Sequence, residues 1–213
     1  MTKNALLIPG NKGQILTGQE GGNPDKYAPL VSAFEQRGFA VHAIHIDWAG
    51  AYGDWVKEAS VQIDELGVDP DQTSIVGFSW GALTALGVSQ KYAPQVLGLA
   101  SISPHGGAGS LDRIRRDAIR RGYDPLSHTP EQVEGFEAMD IGPMALGNLA
   151  TTSIVTYGSL ENDILKERCR EVIGLTPGVI ESEIPGVGHA IEEQVYAQSL
   201  AGLVASQFQI KHA

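Results

Sequence analysis

Ser79 and its flanking glycines form the most chemically informative run of the sequence, Gly77-Phe78-Ser79-Trp80-Gly81. The residues before it, 73–76, are rich in β-branched types, and those after it, 82–92, are typical of a helix. A strand that turns abruptly into a helix forces the serine into a sparsely populated backbone conformation, and glycines let the two elements approach because they lack a Cβ atom. The pattern therefore predicts that Ser79 is a nucleophile exposed at the turn.

The same turn would also supply part of an oxyanion hole. The first N–H groups of the new helix would point toward negative charge that forms when Ser79 attacks a carbonyl. The other part is expected after an early strand, where the apolar residues 5–9 are followed by Gly10-Asn11-Lys12-Gly13. We predict the main-chain N–H of Asn11 as that donor. A plain turn or a phosphate-binding loop is the alternative, although the P-loop ending and the three-glycine dinucleotide pattern are both absent.

A serine hydroxyl needs a histidine to take its proton, and His189 is the main candidate. It follows the strand-like residues 179–184 in the glycine-rich loop Gly186-Val187-Gly188-His189, before a helix that should begin near Ile191. Alone, a loop histidine is more often a solvated side chain. With Ser79 upstream, the sequence favours His189 as the general base, and His105 is the competing candidate.

The acid that orients the histidine is one of two carboxylates after the predicted strand 152–157. Asp163 is favoured because its side chain is short and it stands directly before a predicted helix. Glu161, which is nearer the end of the strand, remains the alternative. The carboxylate that is not used would be an ordinary helix cap or a solvated loop charge.

These elements occur in the order oxyanion loop, serine, acid, histidine, and in this the whole chain resembles the α/β-hydrolase superfamily. Two departures concern the loops. Many members have His-Gly where this chain has Pro9-Gly10, and Asp163 lies further past Gly158 than the usual Gly-x-x-Asp, a spacing that Glu161 fits. The resemblance implies that Ser79 is the nucleophile, that His189 is the general base, and that Asp163 (or Glu161) is the orienting acid. It implies the main-chain N–H groups of Asn11 and Trp80 as the oxyanion donors.

Strand and helix patterns alternate along the chain and predict one α/β domain over residues 1–213. The expected fold is a doubly wound, mostly parallel six-stranded sheet with helices on both faces. Such a sheet places its site at the carboxyl ends of the strands, where all the candidate residues fall. The predicted strands are 5–9, 39–46, 73–77, 96–101, 152–157 and 179–184, and the helices between them include 28–37, 54–66 and 82–92.

Residues 104–149 are too many for a simple connection and predict a small helical cap. One face of a helix within this segment would carry Arg113, Arg116 and Arg120, which could bind an anionic substrate group. The stronger interpretation is an exposed helix stabilised by acid-first i,i+4 pairs. His105 and Trp48 are candidates to line a pocket or to pack beneath the cap.

The composition of the chain narrows its partners. Its net charge of −10 and pI near 5.0 disfavour binding to nucleic acid or an anionic membrane. No run is long enough to span a bilayer, and a single cysteine, Cys169, fits a reducing compartment, so a cytoplasmic location is expected. The sequence indicates a small-molecule substrate and predicts neither a cofactor nor a metal site. A homodimer is left open.

These features together predict a serine hydrolase that cleaves a small carboxylic ester or thioester through a covalent acyl-serine intermediate. One alternative is other chemistry on the same fold, such as peptide cleavage, a haloperoxidase reaction or C–C bond cleavage. The other is a binding protein without catalytic activity.

Overall fold

The computed structural model describes residues 2–10, 24–48, 50–103 and 151–210, together with Asp112, Arg116 and Glu134. Almost all of the predicted cap, 104–149, lies outside these residues, as do Asn11, His105, Arg113 and Arg120. The predictions that concern the cap and those four residues therefore stay predictions.

A six-stranded, entirely parallel sheet forms the centre of the fold, in the order β2-β1-β3-β4-β5-β6. From β1 the chain goes to β2 on one side of the sheet, and from β3 it continues to β4, β5 and β6 on the other side. The strand order therefore reverses between β1 and β3, and Ser79 directly follows β3. This confirms the doubly wound α/β class. The strands are β1 Lys3–Ile8, β2 Phe39–Ala43, β3 Thr73–Phe78, β4 Val96–Ala100, β5 Thr152–Gly158 and β6 Ile180–Ile184.

Helices within the described residues cover both faces of the sheet, and none of them is both long and apolar enough to cross a bilayer. A short 3₁₀ helix, Pro70–Gln72, precedes β3. The α-helices with bounds within the described ranges are α1 Pro24–Glu35, α2 Tyr52–Leu66, α3 Trp80–Tyr92, α4 Asp163–Leu175 and α5 Gln194–Ile210.

Strand β2 ends three residues earlier than the sequence predicts, at Ala43 instead of position 46. The reason is that side chains of α2 take over the backbone hydrogen bonds beyond the strand. Gln62 Oε1 accepts from His45 N–H at 2.9 Å, and Glu58 Oε2 accepts from Asp47 N–H at 2.8 Å. The apolar pattern of this segment continues because the chain stays buried after it has left the sheet.

Alternate residues of the central strands β1, β3, β4 and β5 feed two hydrophobic clusters, one on each face. On β1, Leu6 and Ile8 join the cluster under α2, α3 and α4, whereas Ala5 and Leu7 join the cluster under α1 and α5. The first cluster contains Trp55, which stacks on Trp80 with ring centroids 4.9 Å apart. The helices that carry the candidate site are thus held by a core on each side of the sheet.

We expect Trp55→Ala to destabilise the protein by about 3–5 kcal/mol, because Trp55 is fully buried and its removal leaves a large cavity. Urea denaturation followed by circular dichroism measures this change. Val61→Ala on the same helix is the control, since Val61 is 49% exposed and its loss should cost less than about 0.5 kcal/mol. Equal losses in the two variants would contradict the assignment of Trp55 to the core.

Candidate active site

Ser79 occupies a strained turn between β3 and α3. Its backbone has φ 57° and ψ −115°, a conformation that L-residues rarely adopt. The Ser79 N–H donates to the carbonyl of Ala100 at 2.9 Å, so the sheet's hydrogen bonding extends to the serine itself. The side chain is half-buried, and α3 begins at the next residue, Trp80.

The glycines on either side of Ser79 are required by close backbone contacts. A Cβ atom on Gly77 would lie 2.1 Å from the carbonyl oxygen of Gly81. A Cβ atom on Gly81 would lie 2.1 Å from the carbonyl oxygen of Ile8, the last residue of β1. No larger residue fits either position without a shift of the backbone, so the turn is packed directly against the loop that follows β1.

Gly10, in that loop, lies beside the nucleophile. A Cβ atom on Gly10 would be 3.2 Å from the Ser79 Cβ and 3.3 Å from the Phe78 carbonyl oxygen. The Gly10 N–H donates to the Tyr27 hydroxyl at 2.8 Å, so this N–H points at the phenol oxygen. Among the predicted oxyanion donors, Asn11 lies outside the described residues, while Trp80 is the first residue of α3, at the positive end of the helix dipole.

His189 lies against the residue that precedes the serine. Its ring packs on Phe78, with centroids 4.7 Å apart and planes tilted by 37°. Its Nδ1 is 2.7 Å from Glu161 Oε1. The imidazole side chain is 38% exposed whereas the Glu161 side chain is fully buried, so one edge of the ring faces a buried carboxylate and the rest remains accessible.

The carboxylate that contacts His189 is Glu161, the alternative candidate, and the role of orienting acid stays a proposal. Asp163 is the first residue of α4, and the cap of that helix is Asn162, whose Oδ1 accepts from Leu165 N–H at 2.9 Å. Asp163 therefore belongs to the first turn of α4, two positions after the carboxylate that contacts the histidine. The Gly-x-x-Glu spacing was the sequence signal for the carboxylate that contacts the ring.

The turn that carries Glu161 is bonded to the histidine loop. The Ser159 N–H donates to Ile184 and the Leu160 N–H donates to Val187, both at 2.8 Å. A Cβ atom on Gly158 would lie 2.2 Å from the Val187 carbonyl oxygen, so the two loops touch through their backbones. This contact places the ends of β5 and β6 close enough for the carboxylate to reach the ring.

Ser79, Glu161 and His189 follow β3, β5 and β6, so all three lie at the carboxyl edge of the sheet. Within the described residues, no hydrogen bond joins the Ser79 hydroxyl to His189. Hydrogen bonds of this kind are often long before a substrate binds. No cluster of three or more His, Cys, Asp or Glu side chains in the described part of the chain could hold a metal ion.

Trp48 packs into the core on one side of the site. Its ring meets Trp55 at 5.1 Å and Trp80 at 5.8 Å, both edge to face. The predicted place of Trp48 in a pocket or beneath the cap stays a prediction, because almost all of the cap lies outside the described residues. Two neighbours of the site carried no clear signal in the sequence: Phe78, on which the imidazole lies, and Tyr27, which holds Gly10.

The structure is similar to solved structures of α/β hydrolases, and the protein therefore has the α/β-hydrolase fold. No protein-family model matches the sequence, and no curated protein matches it either. An alpha/beta hydrolase enzyme from the metagenome of sediments of the Mar Chica lagoon, Morocco, superposes with a TM-score of 0.72 at 15% identity, covering 99% of this chain and 93% of that chain. A carboxylesterase from Nitrososphaera gargenis gives 0.72 at 15% identity, with 98% and 92% covered. A bromoperoxidase from Bacillus anthracis gives 0.70 at 12% identity, with 98% and 92% covered.

We expect Gly81→Ala to destabilise the protein by about 1–3 kcal/mol or more and to lower any activity of Ser79, because the added Cβ would collide with the Ile8 carbonyl. Thermal unfolding measures the effect. Gly174→Ala in α4 is the matched control, since a Cβ there meets nothing within 4 Å and should leave stability unchanged or raise it by about 0.4–1 kcal/mol. A neutral Gly81→Ala would show that the turn does not pack as described.

Proposed function

We propose that this protein is a serine hydrolase that cleaves a small carboxylic ester or thioester. The observation that carries the proposal is the 2.7 Å contact between His189 Nδ1 and the buried Glu161 carboxylate, at the edge of the sheet where Ser79 stands in its strained turn. A base held by an acid near a serine with an accessible hydroxyl is the arrangement that activates that hydroxyl for acyl transfer.

In the proposed reaction, the Ser79 oxygen attacks the carbonyl carbon while His189 Nε2 takes the hydroxyl proton. The contact of Nδ1 with Glu161 favours the tautomer that leaves Nε2 unprotonated. The tetrahedral intermediate collapses when the same imidazolium gives the proton to the departing alcohol or thiol, and an acyl-serine remains. Water, deprotonated by His189, then attacks the acyl-serine; the acid leaves and the proton returns to Ser79.

The negative charge on the carbonyl oxygen would be stabilised by two main-chain N–H groups, those of Trp80 and Asn11. For Trp80, the support is its place in the first turn of α3, where the helix dipole favours negative charge. For Asn11, the support is that the residue before it, Gly10, lies against Ser79. Each such donor typically contributes on the order of 10²–10³ in kcat.

A haloperoxidase reaction is the second candidate, since one of the similar structures is that of a bromoperoxidase. The same fold supports different reactions, so the reaction must be tested directly. Bromination of monochlorodimedone, measured beside hydrolysis of p-nitrophenyl acetate and of a thioester, separates the two candidates. A binding protein without activity would show neither reaction.

Ser79→Ala should lower kcat for ester hydrolysis by about 10⁴–10⁶ while the circular dichroism spectrum stays that of the wild type. A fluorophosphonate probe should label the wild type on the peptide that contains Ser79 and should leave the variant unlabelled. Ser206→Ala, a change on α5 away from the site, is the control and should behave as the wild type. Labelling of a different serine would remove Ser79 from the mechanism.

Glu161→Gln should lower kcat by about 10³–10⁴, because an amide can donate to Nδ1 and so favours the wrong histidine tautomer. Asp163→Asn is the matched control, with the same loss of one negative charge at the start of α4, and should stay within about threefold of the wild type. Steady-state hydrolysis of p-nitrophenyl acetate gives both values. The opposite ranking of the two variants would return the acid role to Asp163.

A further inference from the structure

The Tyr27 side chain connects α1 to the loop after β1. It is 1% exposed and lies in the cluster between α1, α5 and the sheet. Its hydroxyl oxygen accepts the Gly10 N–H at 2.8 Å, across 17 positions of the chain. Burial raises the pKa of the Tyr27 phenol well above its usual value, with a smaller contribution from the negative charge of Glu192, so the group stays neutral at physiological pH.

Gly10, the residue that Tyr27 contacts, also lies beside the nucleophile. Gly10 is close enough to Ser79 that a Cβ atom would lie 3.2 Å from the serine Cβ. Glycine by itself does not restrict the direction of its peptide groups. The hydrogen bond from the Gly10 N–H to the buried phenol restricts this direction. Because that N–H is already bonded to Tyr27, Gly10 itself cannot donate to an oxyanion.

We propose that Tyr27 is a positioning residue of this active site, which acts through Gly10 by holding the loop after β1 beside Ser79. The inference rests on the proposed hydrolase function. Its physical basis is that an oxyanion donor stabilises the transition state only when it is already aimed at the developing charge. A displacement of about 1 Å can cost roughly 100-fold in rate. Without the phenol oxygen, the Gly10 peptide group would lose this restraint beside Ser79, and so would the predicted donor of the next residue, Asn11.

The test compares Tyr27→Phe with Tyr52→Phe. Tyr52 is a matched control, because its hydroxyl also bonds to the main chain, to the Leu83 carbonyl at 3.0 Å, on the other face of the sheet. Both variants should lose melting temperature to a similar extent. Only Tyr27→Phe should lower kcat for p-nitrophenyl acetate, by about 10- to 100-fold, with KM within about threefold of the wild type. The pH profile of kcat should keep its shape, because His189 and Glu161 are untouched.

Two results would overturn the inference. One is a kcat for Tyr27→Phe within twofold of the wild type, and the other is an equal loss of kcat in both variants, which would indicate a general structural effect. If Tyr27→Phe does not fold, amide exchange in the wild type decides: Gly10 N–H should exchange as slowly as the amides of β1, and fast exchange would contradict the hydrogen bond. Failure of the proposed function is distinguishable, since it would appear as absence of hydrolysis and of probe labelling in the wild type.

Discussion

The site depends on how closely the start of α3 approaches the end of β1. Added Cβ atoms on Gly77 and Gly81 would each lie 2.1 Å from a carbonyl oxygen, on Gly81 and Ile8 respectively. Backbone therefore meets backbone, and no side-chain rotamer can change the separation. The unfavourable φ of Ser79 persists because the sheet holds its N–H and because these contacts hold the helix that follows. The position of the hydroxyl relative to the loop after β1 follows from this packing.

A second backbone contact fixes the relative position of the two loops that carry Glu161 and His189. Gly158 at the end of β5 touches the Val187 carbonyl, and the loops after β5 and β6 share hydrogen bonds. The carboxylate of Glu161 is thereby buried against an imidazole that is itself partly exposed. The short contact at Nδ1 determines which edge of the His189 ring faces this carboxylate. This arrangement suits the role of general base that we propose for His189.

Most of the fold could be predicted because its signals are local. The four central strands are largely buried on both faces and read as apolar runs. Helices α1 and α2 are followed by Gly38 and Gly67, with φ of 79° and 59°, where a left-handed conformation favours glycine. The strand whose end differs most from the prediction, β2, shows the limit of such signals. Its apolar run continues past Ala43, but Gln62 and Glu58, far along the chain, take the next backbone hydrogen bonds.

The sequence by itself determined the turn around Ser79, since its strand, glycines and helix are adjacent in the chain and each dictates a backbone conformation over a few residues. It could not show whether Glu161 or Asp163 contacts His189, because a single residue separates the two carboxylates and the contact depends on where His189, 28 positions after Glu161, is placed. The contact of Tyr27 with Gly10 had no local signal either. Tertiary structure decided both, because the packing of helices on the sheet and of one strand exit on the next determines which distant groups come within hydrogen-bonding distance.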